Sequence, residues 1–340
     1  MFDSSSRFRI GRRLSLLVAC TAVFGLLAAC QPLGTEAEDS GASPTAGDGG
    51  GASQLSIATG GTGGVYYPLG GGFATVIREN VSGYDASVQE TNASVDNMLL
   101  IGDGQADLAL VLADTAAEAI AGEGDFEEPV DACAMGRLYD NYTQLVTSTD
   151  SGITSVEDLA GKRVSLGSPG SGTEIIALRI LEAAGIDPDA DIEREQLGVD
   201  ETTAGLRDNT IDAGFWSGGL PTGALVEYAT VGEMVLVPTA DYTDALVDRF
   251  GDFYFTEDIP SGAYEGQDEA VPTIVVTNVL VAPTDMPEDL QNQITAAIFD
   301  SREQLIEVHP AAEELDAATA DDIDFMDICP GSQAYFDEQG

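Results

Sequence analysis

From Leu55 onward the apolar positions trace a unit that occurs twice. LSIATGGTGGVYYPLGGGFATVI (55–77) runs from an apolar strand through a Gly/Thr loop into helical spacing. RVSLGSPGSGTEIIALRILEAAG (163–185) does the same. Tyr66, Leu69, Phe73, Val76 and Ile77 share one helical face, as do Ile176, Ile180, Leu181 and Ala184. Each unit continues with a polar segment, a second helix and an acid that opens a strand: NASVDNMLLIGDGQADLALVLAD (92–114) with Asp107, and VDETTAGLRDNTIDAGFWSGG (199–219) with Asp212. Alternating strands and helices predict parallel sheets with loops gathered at the strands' carboxyl ends.

Two β-rich runs stand apart from the repeat. YTQLVTSTD (142–150) and PTIVVTNVLVAP (272–283) read as strands crossing between two α/β lobes, the expected hinge. PEDLQNQITAAIFDSREQLIEVHP (287–310) reads as one late amphipathic helix from Pro287 to Pro310, packed on the first lobe. The expected domains are residues 55–145 with 275–340 as lobe I and 146–274 as lobe II, with a cleft between them. About 290 residues suit two lobes better than one core.

The amino terminus is of another kind. Arg7, Arg9, Arg12 and Arg13 precede the apolar run LSLLVACTAVFGLLA, and LAAC ends at Cys30. A basic segment, a short apolar segment and small residues before a cysteine are the pattern of a lipoprotein signal over 1–29, with Cys30 lipidated. An ordinary signal peptide cut nearby is the alternative. Residues 30–54, rich in Gly, Ser, Ala, Thr and acid, read as a flexible tether. The expected location is therefore extracytoplasmic, on the membrane by a lipid anchor only.

Charge narrows the partners. The 340 residues carry 59 acidic and 13 basic side chains, a formal net charge of −46. Removing residues 1–29 takes away four Arg and Asp3 and leaves 9 basic against 58 acidic. Such a surface excludes nucleic acid and anionic membrane as partners. A hydrophobic content of 44% implies a normal core under a solvated acidic coat, which high external salt would screen. Once Cys20 leaves and Cys30 is lipidated, Cys133 and Cys329 remain. A disulfide is the preferred reading over two buried thiols.

The glycine-rich loops are the candidate chemistry. At a helix start, unpaired N–H groups and the dipole favour an anion, and glycine lets backbone approach it. The nucleotide versions fail: no Walker motif exists, and the spacing from Gly61 through Gly63 ends on Tyr66 instead of glycine. A small carboxylate is the simpler ligand; a tight strand–helix turn is the alternative. The lone His309 sits at a predicted helix end, where pairing with the dipole is its ordinary role. No triad, nucleophile elbow or metal-ligand cluster emerges, so neither cofactor nor metal nor enzymatic activity is expected.

TGGTGGVYYPLGG, VQETNASVDN, GQADLALVLAD, LAGKRVSLGSPGSGTE, YEGQDEAVPTIVV, HPAA and PGSQAYF together resemble the TAXI family of solute receptors for tripartite ATP-independent periplasmic (TRAP) transporters. The resemblance runs from about Leu55 to the end. It implies a type II periplasmic binding fold whose lobes close on glutamate, glutamine or a related small acid, then deliver it to a TRAP membrane permease. A monomer is expected. Partnership with an ABC permease or a sensor kinase is the alternative, and an extracytoplasmic hydrolase a more distant one. The motifs place ligand contacts at Thr59, Gly61, Thr62, Gly63, Gly64, Tyr66 and Tyr67, and at Asn92, Ser94 and Asp114. In the second lobe they fall at Ser168, Gly170, Ser171, Gly172 and Thr173, and at Trp216, Ser217 and Gly218. One of Tyr66 and Tyr67 is expected in the core and the other over ligand. Trp216 fits core or cleft, and Asp114 fits ligand or helix cap. Cys329 departs from the family, so a Cys133–Cys329 bridge would be individual to this chain.

Overall fold

The computed structural model describes residues 52–231 and 233–339. The expected signal, Cys30 and most of the tether lie outside them. The chain opens with β1 (Ser53–Ala58), α1 (Tyr66–Asn80), β2 (Tyr84–Gln89), α2 (Ser94–Gly102), β3 (Leu108–Leu112), α3 (Ala113–Ala121) and the long β4 (Ala132–Ser148). It repeats the plan with β5 (Arg163–Ser165), α4 (Gly172–Ala183), β6 (Glu193–Glu195), α5 (Val199–Arg207), β7 (Ala213–Gly218), α6 (Gly223–Val231) and β8 (Met234–Val237). Then come α7 (Thr243–Phe250), β9 (Tyr254–Ile259), β10 (Val271–Pro283), α8 (Glu288–Phe299), α9 (Arg302–Val308) and α10 (Pro330–Gln339).

The repeat in the sequence is a repeat in the sheet. Strand order is β2-β1-β3-β10-β4-β7-β5-β6, with β8 on β4 and β9 on β10. Read from the outer edges inward, both halves run second, first, third strand of the unit and then a long central strand. The unit strands pair in parallel, while β10 and β4 join antiparallel to each other and to their flanks. The two repeated acids do the same work. Ser56 N–H donates to Asp107 Oδ2 (2.8 Å) while Asp107 N–H donates to Ser56 O (2.9 Å). Arg163 N–H donates to Asp212 Oδ2 (2.9 Å) and Asp212 N–H to Arg163 O (2.8 Å). A carboxylate takes the N–H that lies just before the next strand's first ladder pair, which ties the start of that strand to its neighbour.

Helices cover both faces. In the first half α1, α8, α9 and α10 share one apolar cluster with Tyr66, Leu69, Phe73, Ile77, Ile294 and Ile298, while α2 and α3 close the other face through Met98 and Ala116. The second half repeats this with α4 and α7 on one face and α5 and α6 on the other.

Two expectations change. The strand expected from Tyr142 starts at Ala132, because Gly136, Arg137, Asp140 and Asn141 hide its alternation although most of them are buried or paired. The late helix is two helices: the chain bends at Asp300 and Ser301, and α9 then packs against α1 through Leu305, which is fully buried. Cys133 on β4 is bonded to Cys329 just before α10, with Cα atoms 5.0 Å apart. Cys329 N–H also donates to Ala134 O (2.8 Å), so backbone and side chain both tie the C-terminal segment to the central strand.

Candidate functional site

The carboxyl ends of β1, β3, β5 and β7 face one another across β4 and β10, and a cavity of about 320 Å³ lies between them. That is the small end of the range for small-molecule sites, about 300–1,000 Å³. From the first half it is lined by the expected Gly61, Gly64, Tyr66, Asn92 and Ser94. The second half contributes Ser168, Ser171, Gly172 and Thr173 from one loop, and Trp216, Ser217 and Gly218 from β7.

Helix starts dominate the wall. Tyr66 opens α1, Ser94 opens α2, Gly172 and Thr173 open α4, and Val199, Asp200 and Glu201 open α5. First-turn N–H groups have no intrahelical partner, and each dipole places about half a positive charge there. Ser171 caps α4, its Oγ accepting from Glu174 N–H (3.1 Å). Ala93, just before α2, holds φ at +79°, a conformation that costs an alanine about 1–3 kcal/mol. Strain of this kind concentrates where backbone must be presented to a ligand.

The halves touch at both rims. Val95 N–H at the start of α2 donates to Gly170 O (3.2 Å), and Ala224 N–H at the start of α6 donates to Gly63 O (3.2 Å). Each half thus offers a loop carbonyl to a helix start of the other. The glycines permit this approach. A Cβ on Gly64 would lie 2.9 Å from the Trp216 ring, and one on Gly63 would lie 2.3 Å from Asp200 Oδ1.

Several expected contacts lie elsewhere. Thr59 is fully buried, with Oγ1 donating to Gln89 O (2.8 Å), and it ties β1 to β2 below the cavity. Thr62 is exposed, Tyr67 is half-buried outside the lining, and Gly170 supplies the rim carbonyl at φ +71°. Gly63 faces Asp200, so it serves contact between the halves. Asp114 does not line the cavity; its Oδ1 accepts from Thr115 N–H (2.8 Å) in the first turn of α3, satisfying one helix-start donor. Its Oδ2 accepts from Arg179 Nη1 (2.9 Å) and from Tyr254 Oη (2.6 Å), deep between α3, α4 and β9. Of the alternatives for tyrosine and tryptophan, Tyr66 is buried, lines the cavity and donates to Asn278 Oδ1. Trp216 is half-buried in the lining, its Nε1 donating to Thr222 Oγ1 (3.0 Å).

Other lining residues are ones that the sequence pattern does not single out. Tyr139 and Asn141 on β4, Leu112 at the end of β3, and Val199, Asp200 and Glu201 on α5 all face the cavity. Val199 holds the place of Ser94 in the repeat, each the first residue of its helix, so the internal symmetry carries a signal for this stretch. Tyr139 and Asn141 fall in the stretch of β4 whose alternation is hidden. The floor is a polar chain: Asn278 Nδ2 donates to Asn141 Oδ1 (2.9 Å), and Asn141 Nδ2 to Ser217 O (3.4 Å). Among the described residues no Lys, Arg or His lines the cavity; Glu90, Asp200 and Glu201 stand exposed at its mouth. Among the described residues, no group of three or more His, Cys, Asp and Glu is placed to hold a metal ion.

His309 is not a cation at a helix end. Its Nδ1 accepts from Ala311 N–H (3.1 Å), so the proton sits on Nε2, 3.3 Å from Pro221 O across the halves. Burial holds its pKa below the usual 6.5. The unfolded chain therefore binds a proton near pH 6.5 that the folded chain refuses, and this stability is present above that pH and lost below it. Thermal melts from about pH 7.5 to about pH 5 should show wild type losing stability relative to His309→Gln as pH falls. Parallel curves would refute the assignment.

Among the described residues no helix is long and apolar enough to cross a membrane. The fold is similar to that of the binding-protein component of an ABC phosphonate transporter from Pseudomonas aeruginosa, at 11% identity, 77% of this chain, 79% of that one and a TM-score of 0.51. It also matches the periplasmic aliphatic sulphonate binding protein of Escherichia coli (16% identity, 84% of each chain, TM-score 0.44). A putative L-cystine ABC transporter from Listeria monocytogenes matches at 14% identity, 81% of this chain, 100% of that chain and a TM-score of 0.47. The architecture is the two-lobed α/β fold of periplasmic binding proteins. Over residues 57–340 the sequence matches the NMT1-like family, and the chain belongs to that family.

Proposed function

We propose that this chain is an extracytoplasmic solute-binding lipoprotein. It captures one small organic anion or amino acid, glutamate- or glutamine-like, and hands it to a TRAP membrane permease. The observation that carries the reading is the cavity between the halves, where four helix starts converge and the described lining holds no cationic side chain. Backbone N–H groups and hydroxyls hold an anionic end there by direct hydrogen bonds. A ligand touching both halves stabilises only the closed arrangement, and that difference lets binding shift an open–closed equilibrium.

The TRAP assignment, and with it action as a monomer, rests on the loop and strand motifs quoted above. Anchoring rests on the segment ending at Cys30. An ABC permease is the alternative partner, since the phosphonate-transporter component has the same fold. A TRAP permease gene beside this one would support the first partner and an ABC permease gene the second.

Calorimetry on the mature protein tests the binding reading, using a panel of small carboxylates and amino acids with and without chelator. One site per chain with unchanged affinity in chelator is the expected result. Binding abolished by chelator would refute it, as would turnover of the bound solute.

A further inference from the structure

The floor of the cavity holds two hydroxyls that the fold leaves without partners. Tyr139 is 1% exposed and Ser217 6% exposed; both line the cavity, and neither Tyr139 Oη nor Ser217 Oγ has a hydrogen-bond partner. Buried polar side chains in native proteins are nearly always paired, so orphans in a binding cavity point to a group that arrives with the ligand. Their neighbours are already committed. Asn141 and Asn278 bond each other, Tyr66 donates to Asn278, and Thr173 Oγ1 accepts from Ser217 N–H (3.1 Å).

Charge decides what that group is. The four helix starts supply roughly two positive charges in half-charge portions, opposed at the mouth by Glu90, Asp200 and Glu201. An anionic end can sit against these helix starts, away from the carboxylates at the mouth. A second carboxylate at the floor would be buried beside hydroxyls and amides with no Lys, Arg or His in the described lining, the situation in which an ion loses its hydration without a counter-charge. A neutral amide or hydroxyl needs only a donor and an acceptor. Each of the two free hydroxyls can be either. The Tyr139 hydroxyl stays protonated, because burial pushes its pKa well above the ordinary tyrosine value.

Building on the solute-receptor reading, we propose that Tyr139 and Ser217 form a subsite for a neutral polar head, so that the cavity selects a monocarboxylate bearing an amide or hydroxyl over the matching dicarboxylate. A purely structural Tyr139 predicts something different: removing its orphan hydroxyl would leave affinity unchanged.

The test is calorimetry with matched pairs that differ only at one end, glutamine against glutamate and succinamate against succinate, on wild type, Tyr139→Phe and Ser217→Ala. In wild type the amide member of a pair should bind at least about tenfold tighter than the acid, the discrimination expected when a site built for hydrogen bonds is left unpaired. Tyr139→Phe should fold normally and lower amide affinity by about tenfold, narrowing the ratio. Acids binding as tightly as amides, or a ratio unmoved in Tyr139→Phe, would overturn the subsite while leaving the receptor reading intact. If no member of either pair binds the folded wild type and other small acids do, the subsite is again wrong. If nothing in the panel binds, the receptor reading falls with it.

Discussion

Gly172→Val is expected to weaken solute binding by roughly 10- to 100-fold in a protein that still folds. Gly172 is the first residue of α4 and lines the cavity. A Cβ there would lie 2.4 Å from Leu112 Cδ1 and 2.9 Å from Ser94 Oγ, both on the opposite half. Neither neighbour can retreat: Leu112 is 2% exposed at the end of β3, and Ser94 is 1% exposed with Oγ accepting from Leu112 N–H (3.2 Å). Normal carbon contacts need about 3.5–4.0 Å, so the start of α4 must move away by about 1 Å or more. Overpacking costs about 1–3 kcal/mol, and the larger valine falls at the upper end. Charged to the closed arrangement alone, that is roughly a 10- to 100-fold loss of affinity. Solute titration of the variant, with a thermal melt to establish folding, checks it. Gly71→Ala is the control, since a Cβ there meets nothing within 4 Å and the site lies on a helix. It should bind like wild type. Gly63→Val should cost less than Gly172→Val, because its obstacle is the carboxylate of the exposed Asp200, which can swing into solvent. Wild-type affinity in folded Gly172→Val would mean that ligand does not require the halves to meet here.

The contrast between those glycines shows what a sequence can carry. The loops at Gly60–Gly64 and Ser168–Thr173 are legible because the same glycine- and serine-rich strand–helix junction occurs twice, whereas one copy alone reads equally well as a tight turn. Asp107 and Asp212 are legible as matched positions, and the structure gives them the same pair of backbone bonds. What stays hidden is anything set by contact between the halves. Gly63 meets Asp200, far along the chain, and no local pattern encodes that meeting. Tyr139 is hidden for a different reason. Its strand is buried on both faces near the sheet's centre, so Arg137, Asp140 and Asn141 are paired internally instead of alternating with apolar residues. The break between α8 and α9 is also invisible, because Asp300 and Ser301 are tolerated inside helices and the contacts at the bend are long-range: Leu305 on α1, and Asp300 accepting from the Tyr335 hydroxyl (2.8 Å).

Arg179→Met should lower stability more than any substitution in the cavity and leave affinity for solute unchanged. Arg179 lies on α4 at 8% exposure, and its guanidinium joins three elements. It pairs with Asp114 on α3 (2.9 Å), with Glu118 one turn later, and with the Tyr254 hydroxyl on β9. It also stacks 4.3 Å from the Phe250 ring centroid. Asp114 is 1% exposed, so removing the arginine leaves a carboxylate with neither water nor counter-ion and Glu118 beside it. Burial raises the Glu118 pKa while the arginine's charge pulls it down, so losing the arginine would push it further up. Breaking one partner out of a buried pair costs about 3–5 kcal/mol. At about 2–4 °C per kcal/mol for a large domain, the melting temperature should fall by roughly 10 °C. Methionine fills most of the arginine's volume, so the loss reports charge more than cavity. Arg179→Lys should fall between, keeping the charge but losing the planar fork that meets two carboxylates. Pairing Arg179→Met with Asp114→Asn should recover part of the loss, because no buried charge is then stranded beside the missing cation. Titration below the melting transition separates a structural Asp114 from a ligand-binding one. Unchanged affinity in Asp114→Asn fits a structural ion pair, whereas about a tenfold loss there with an unshifted melt would return Asp114 to the ligand.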